Sequence, residues 1–299
     1  MDTGQNSTWC VGDVLKWTAE YFDKKGIDSP RLTAELLLSR VLGISRLDLY
    51  LGYDKPLNQE ERSSFKDLIK RRAQREPLAY ILGEKAFWKL DFKVSPYVLI
   101  PRPDTELLIE VVADEVKNNM RHEHRIVFAD LGTGSGAIAL SILTEIPDSF
   151  AVGSDLSAEA LSVASENAFL NSLCDRISFV RSSWCDAFSS EFKFDFIVSN
   201  PPYIRSDVIP VLEPEVSVHE PLSALDGGDD GLLCIRRIVS SAFDHIKPSG
   251  FLVIEIGYDQ GRAVSQILDS SDLCDGVRII KDYGGNDRLA FARKRNPSV

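Results

Sequence analysis

Hydrophobic positions along this 299-residue chain change their spacing from one region to the next. Near the amino terminus Val14, Leu15, Trp17, Tyr21 and Phe22 recur at helical intervals. Ser29-Pro30, a capping residue followed by Pro at the first helical position, opens a second helix from Arg31 to Val41, and Gly43 stops it. Asn58 caps a third stretch through Phe65, Leu68 and Ile69 that ends before Pro77. Residues 1–76 therefore read as a small helical bundle. Over 77–103 the pattern loosens into a linker. Phe87, Leu90, Phe92 and Val94 around Lys89 suggest a short hairpin, and Ile100-Pro101-Arg102-Pro103 is a stiff connector. Asp104 is placed to cap the next helix, whose apolar face is Leu107, Leu108, Val111 and Val112.

From 104 to 299 the pattern becomes strand, turn and helix, repeated. Strands are expected at 125–130, 150–154, 177–181, 194–199 and 251–256, with helices at 136–145, 157–171 and 229–246. Two further strands, 277–283 and 288–293, form a closing hairpin around Gly284-Gly285. Near-continuous apolar strands separated by helices imply a parallel sheet covered on both faces. The fold class is α/β: a mostly parallel seven-stranded sheet with a small amino-terminal helical domain.

Composition narrows the options. Hydrophobic residues at 44% and charged ones at 26% are ordinary globular values. No apolar run approaches the ~18 residues of a membrane span, and Met1–Cys10 has neither a basic nor an apolar leader segment. The expectation is a cytoplasmic protein with no membrane association. Cys10, Cys174, Cys185, Cys234 and Cys274 show no metal-ligand spacing and are expected as buried free thiols. The four histidines form no ligand pattern either, so no metal is expected. The net charge of −11 is concentrated after residue 86, which argues against stable binding to a nucleic-acid backbone. The basic cluster Lys70-Arg71-Arg72-Arg75 reads as a solvated helix face or as a docking surface for an acidic partner.

Two motifs carry candidate chemistry. Gly132-Thr133-Gly134-Ser135-Gly136 ends the first long strand and opens a helix, so a ligand can approach the backbone closely. The spacing is neither the dinucleotide nor the P-loop form. Asp155, at the end of the following strand, can accept hydrogen bonds from both hydroxyls of a ribose. With no Lys or Arg in the loop, a phosphate-free adenosine carrying a sulfonium cation fits better than NAD, which points to S-adenosylmethionine. Asn200-Pro201-Pro202-Tyr203 follows the fourth strand directly, where ligands of open α/β sheets bind. The lone pair of an amide or aromatic NH2 is delocalised, so such a group needs both N–H bonds held to aim it at an electrophile. The Asn200 Oδ1 and the Pro201 carbonyl can accept those two bonds, Pro201 and Pro202 stiffen the turn, and Tyr203 offers a flat face. Rate enhancement of this kind comes from alignment and electrostatics.

Together these motifs resemble class I methyltransferases acting on planar amino nitrogens of adenine, cytosine or glutamine. Glu76–Gly83 (EPLAYILG), Phe87-Trp88, Leu99–Glu106 (LIPRPDTE), Glu220–Gly228 (EPLSALDGG) and Lys281–Arg288 (KDYGGNDR) resemble the HemK/PrmC family over nearly the whole chain. The resemblance implies a Rossmann-like catalytic domain and methylation of the glutamine in the Gly-Gly-Gln motif of peptide chain release factors. It also implies that the glycine loop, Asp155 and Asn200 hold the cofactor and that Trp184 borders its adenine. Arg102 and Thr105 would help to close that site, and Asn200 to Tyr203 would hold the glutamine. Monomeric action on a release factor is the expected partnership. A ribosomal-protein glutamine, an adenine in nucleic acid, and a non-catalytic adaptor role are the competing readings. Where the family carries an acidic residue before this tryptophan, Ser183 stands here, with Asp186 three residues later, so the adenine amino contact is left open.

Overall fold

The computed structural model describes residues 9–120 and 125–296; most of the amino-terminal segment, and His122 and His124, lie outside the described residues. The described chain divides into two compact units, 9–83 with 214–219, and 84–213 with 220–296.

The first unit contains α1 (Val11–Lys24), α2 (Pro30–Leu42), α3 (Arg46–Leu51), α4 (Gln59–Ala73) and α5 (Leu78–Leu82). Phe22, Leu37, Leu38 and Phe65 are buried at its centre. Asn58 caps α4 as expected, in a reciprocal box with Glu61. Ser29 occupies the N-cap of α2 in a left-handed conformation, φ 46°, and its side chain makes no capping bond. Helix α3, absent from the sequence reading, is signalled by Ser45, which accepts from the Asp48 amide while Asp48 reaches back. The unit runs past residue 76 because Ile81 on α5 is buried in its core. The segment 214–219, with α9 (Pro214–Ser217), completes it.

In that unit the basic cluster divides: the Lys70 and Arg71 side chains are 61% and 43% exposed, and Arg72 and Arg75 are drawn inward. Arg72 and Arg75 both pair with Glu215 at 2.8 Å, Arg71 pairs with Glu76, and Arg72 is buried. Lys70 pairs with Asp67 at 2.9 Å, so each of the four cations has a carboxylate partner.

The second unit begins with an antiparallel hairpin, β1 (Glu84–Phe87) and β2 (Leu90–Lys93). Phe87 and Phe92 enter this unit's core, so the hairpin is packed structure and not a free linker. Then come α6 (Glu106–Asn119), β3 (Ile126–Leu131), α7 (Ala137–Glu145), β4 (Ser149–Asp155), α8 (Ala158–Leu170), β5 (Ile177–Arg181) and β6 (Phe194–Ser199). After α9 follow α10 (Leu233–Ala242), β7 (Ile246–Glu255), α11 (Gly261–Asp269), β8 (Cys274–Lys281) and β9 (Asp287–Lys294). Asp104 does not cap α6; it pairs with Arg288 at 3.0 Å, and a 3-10 turn, Pro103–Thr105, leads in. The expected helix 229–246 is shorter because Gly231, at φ +73°, turns the chain before α10.

Seven strands form one sheet in the order β5-β4-β3-β6-β7-β9-β8, with β9 antiparallel to both neighbours. All six residues of β6 are buried, as a central strand covered on both faces requires. On one face Phe128, Phe196, Phe251 and Phe291 stack in a ladder with centroids 4.8, 4.9 and 5.4 Å apart. On the other, Leu131, Ile197, Leu252 and Ile254 pack with residues of α10 and α11. Of the five thiols, all free, only Cys185 and Cys274 are buried; Cys174 is exposed on a 3-10 turn.

Candidate active site

The strand order reverses between β3 and β6, and the crevice at such a switch point is where open α/β sheets bind ligands. Leu131 on β3 pairs with Ser199 on β6, which pairs with Ile254 on β7. The next residues, Gly132, Asn200 and Glu255, therefore emerge side by side at the carboxyl edge of the sheet. The Ser199 hydroxyl donates to the Leu131 carbonyl at 2.6 Å and locks the two strand ends together.

A cavity of about 440 Å3 opens there, within the ~300–1,000 Å3 usual for small-molecule sites. Gly132, Thr133, Gly134 and Ser135 line it, with Asp155, Trp184, Asn200, Pro202, Arg102 and Thr105. Gly132 and Gly134 have φ of +73° and +55°. A Cβ on Gly132 would sit 3.4 Å from the Trp184 ring, so glycine keeps that wall open. Asp155 Oδ2 accepts from the Gly134 amide and Oδ1 from the Ser157 amide, both at 2.9 Å, which fixes the carboxylate and leaves lone pairs for two hydroxyls. Below the loop, Asp130 is fully buried. Its Oδ2 accepts from Thr133 Oγ1 at 2.7 Å and Oδ1 has no partner. Burial pushes this carboxyl up to about 7, against the hydrogen bonds from Thr133 and Ala139.

Three expected residues do not line the cavity. A Cβ on Gly136 would meet Leu140 Cδ1 at 3.3 Å and Ala164 Cβ at 3.4 Å, so this glycine serves the packing of α7 on α8. Pro201 is buried. Tyr203 turns its hydroxyl inward and donates to Glu255 Oε1 at 3.1 Å. Burial, reinforced by the Glu255 charge, lifts the Tyr203 phenol well above its ordinary range, so it stays protonated.

The loop after β6 is held from behind. A Cβ on Gly227 would lie 2.8 Å from Tyr203 Cα, and one on Gly231 would lie 2.5 Å from the Tyr203 carbonyl. Only glycine permits that approach. Gln260 Nε2 donates to the same carbonyl at 2.9 Å. In front, Arg102 pairs at 2.6 Å with Glu220, whose side chain is 1% exposed, and this ties the 99–105 segment to the 220–228 segment. Ser183 lines the cavity and Asp186 does not.

Family models described as the PrmC N-terminal domain and the methyltransferase small domain match residues 13–83 and 103–211. A release factor glutamine methyltransferase of Geobacter sulfurreducens is 40% identical over 291 residues, 97% of this chain and 99% of that protein. The chain belongs to the release factor glutamine methyltransferase family. The family's Caulobacter vibrioides protein is 40% identical over 286 residues, 95% of this chain and 96% of that one. A solved methyltransferase from Pyrococcus furiosus, 19% identical, covers 76% of this chain and 99% of its own with a TM-score of 0.52, a likeness of fold.

A methyltransferase of this class uses S-adenosyl-L-methionine, and the residues present fit it. The loop leaves backbone bare at Gly132, the Asp155 carboxylate faces the cavity at the end of β4, and the Trp184 ring stands beside Gly132. Two functional residues escaped the sequence reading. Glu255 ends an otherwise apolar strand, and that interruption was its signal. Glu220 opens the EPLSALDGG segment but carried no mark of its burial.

Proposed function

We propose that this chain transfers a methyl group from S-adenosyl-L-methionine to the side-chain amide nitrogen of the glutamine in the Gly-Gly-Gln motif of peptide chain release factors. The observation that carries the reading is Asn200, held at the end of β6 beside the glycine loop, with its amide nitrogen donating to Thr105 Oγ1 at 3.2 Å. That bond leaves Oδ1 to accept from a substrate NH2. The cofactor supplies an electrophilic methyl group on a sulfonium sulfur. Gly132, Thr133, Gly134, Ser135 and Asp155 hold its polar parts, Trp184 covers the adenosine end, and Arg102 with Thr105 bounds the entrance.

Asn200 Oδ1 and the Pro201 carbonyl each accept one N–H of the glutamine amide, which aims its lone pair at the methyl group. Pro202 fixes the turn, and Tyr203 anchors it through Glu255. The rate then derives from alignment and from the two acceptors, which follow the positive charge growing on nitrogen. The surplus proton leaves to water. We read the enzyme as a cytoplasmic monomer that meets release factors transiently.

The test is transfer of labelled methyl to a purified release factor, beside its Gln→Ala variant in the Gly-Gly-Gln motif. Label in the wild-type factor alone, abolished in Asn200→Ala enzyme that still binds cofactor, supports the reading. Label in neither factor, or equal label in both, overturns it.

A further inference from the structure

Gln260 stands at the N-cap of α11, behind the turn that follows β6, and is 8% exposed. Its side-chain amide is bonded to three main-chain groups. Oε1 accepts from the Gly257 amide at 2.8 Å, and Nε2 donates to the Tyr203 carbonyl at 2.9 Å and to the Gly231 carbonyl at 3.3 Å. A backbone N–H only donates and a carbonyl only accepts, so these partners fix which end of the amide is nitrogen. The main chain of Gln260 is held as well. Its N–H donates to the Gly257 carbonyl at 3.0 Å, and its carbonyl accepts from the Val264 amide at 2.9 Å. Gln260 does not line the cavity, so whatever it does for the reaction passes through the turn.

We propose that Gln260 is a positioning residue for methyl transfer: by holding the Tyr203 carbonyl, it sets the direction in which the Pro201 carbonyl meets the substrate amide. The rings of Pro201 and Pro202 fix φ at both residues, and neither has an N–H with which to anchor itself. Upstream, the Ser199 hydroxyl ties the end of β6 to the Leu131 carbonyl at 2.6 Å. Downstream, the Ile204 amide donates to the Leu225 carbonyl at 3.0 Å, and the Ile204 carbonyl accepts from Gly227 at 2.8 Å. Between these anchors the freedom left is rotation of successive peptide planes, in which one carbonyl swings and its neighbours compensate. Gln260 blocks that motion, because the Tyr203 carbonyl cannot turn without breaking the shorter bond of a buried NH2. Asn200 Oδ1 and the Pro201 carbonyl come from successive residues and must converge on a single NH2. A misdirected Pro201 plane therefore costs alignment and leaves the cofactor's contacts in place.

This inference rests on the reading that Asn200 and Pro201 grip the glutamine amide, and its test separates the two. Gln260→Met keeps the length of the side chain and removes the amide. Gln260→Glu keeps the shape and sets an oxygen, in place of the NH2, against two carbonyls. Each is expected to lower kcat for a release factor about 10- to 100-fold, while KM for the factor and Kd for the cofactor change less than about threefold. Cofactor affinity is spared because Gly132, Thr133 and Gly134 are held through Ser154 and Asp155, not through Gln260. A kcat within about threefold of wild type in either folded variant, or a cofactor Kd that weakens as far as kcat falls, overturns the proposal. A second readout needs no substrate. In hydrogen exchange of the cofactor-free enzyme, the Ile204 and Gly227 amides are expected to exchange about 10-fold faster in both variants, and the Gly132 and Thr133 amides at the wild-type rate. Equal acceleration of all four marks a general loss of stability and overturns the clamp, as does acceleration of none. Acceleration confined to Ile204 and Gly227, in an enzyme that methylates no release factor, upholds the clamp and rejects the substrate reading.

Discussion

Asp130 makes the stability of this protein depend on pH in an unusual direction. It is buried under the glycine loop, and its carboxyl stands at about 7 in place of the ordinary 3.8. A carboxyl raised on folding binds its proton more tightly in the native state, so the folded protein holds more protons than the unfolded chain between those values. Stability is therefore greatest below about pH 4 on this account, and it falls as pH rises toward and past 7. A difference of about 3 pH units at 1.36 kcal/mol each amounts to about 4 kcal/mol, of which about 3 falls between pH 5 and pH 9. Asp130→Asn removes the titration and keeps an oxygen to accept from Thr133 and Ala139, at a constant cost of about 1–3 kcal/mol for its buried amide NH2. Urea denaturation of both proteins from pH 5 to pH 9 isolates the group, because every other titration cancels in the difference. The wild type is expected to lose about 3 kcal/mol relative to the variant across that range. Parallel stability curves would refute the reasoning.

Other expectations follow from particular contacts. Gly136→Ala introduces a Cβ at φ +80° and within 3.4 Å of Ala164, so urea denaturation should report a loss of about 1–3 kcal/mol, and a loss near zero would contradict the packing role. Trp184→Ala should weaken cofactor binding about 10-fold by titration calorimetry and also lower the melting temperature, because the ring packs on the core, and unchanged affinity would contradict its place at the site. Glu215→Gln leaves buried Arg72 without its charge partner and should cost about 2–4 kcal/mol in urea unfolding; a change under about 0.5 kcal/mol would mean that the pair contributes nothing.

The parts of the fold legible in the sequence were those with strong local grammar. The apolar run of β6, followed at once by Asn-Pro-Pro-Tyr, stood out because a central strand must be apolar on both faces and the turn must stop it. The glycine loop and Asp155 were legible for the same reason, with chemistry and strand end coinciding. Elements that depend on distant partners were not. Arg72 and Arg75 looked like a solvated basic face because nothing in their neighbourhood announces Glu215, 140 residues beyond Arg75. Glu255 looked like a lapse at the end of a buried strand until the register set it beside Asn200. Helix α3 was missed although its Ser45–Asp48 box was in plain view, since six residues carry too little periodicity to register. Gly136 was grouped with the cofactor loop, and only the crowding of Leu140 and Ala164 separates its work from that of Gly132.

The first unit is assembled from two stretches of chain, and synthesis delivers them at different times. Residues 9–83 leave the ribosome well before 214–219, so their helices form while the anion that Arg72 and Arg75 need is still unmade. Until Glu215 arrives, Arg72 must stay hydrated, and the end of α4 cannot close over it. The nascent unit is therefore expected to stay open at the end of α4, with the Glu76 carbonyl as the one partner Arg72 finds among residues 9–83, until 214–219 have been made. An amino-terminal fragment that stops at Gly83 would stay arrested at that stage, and a short peptide carrying Glu215 would be its missing piece.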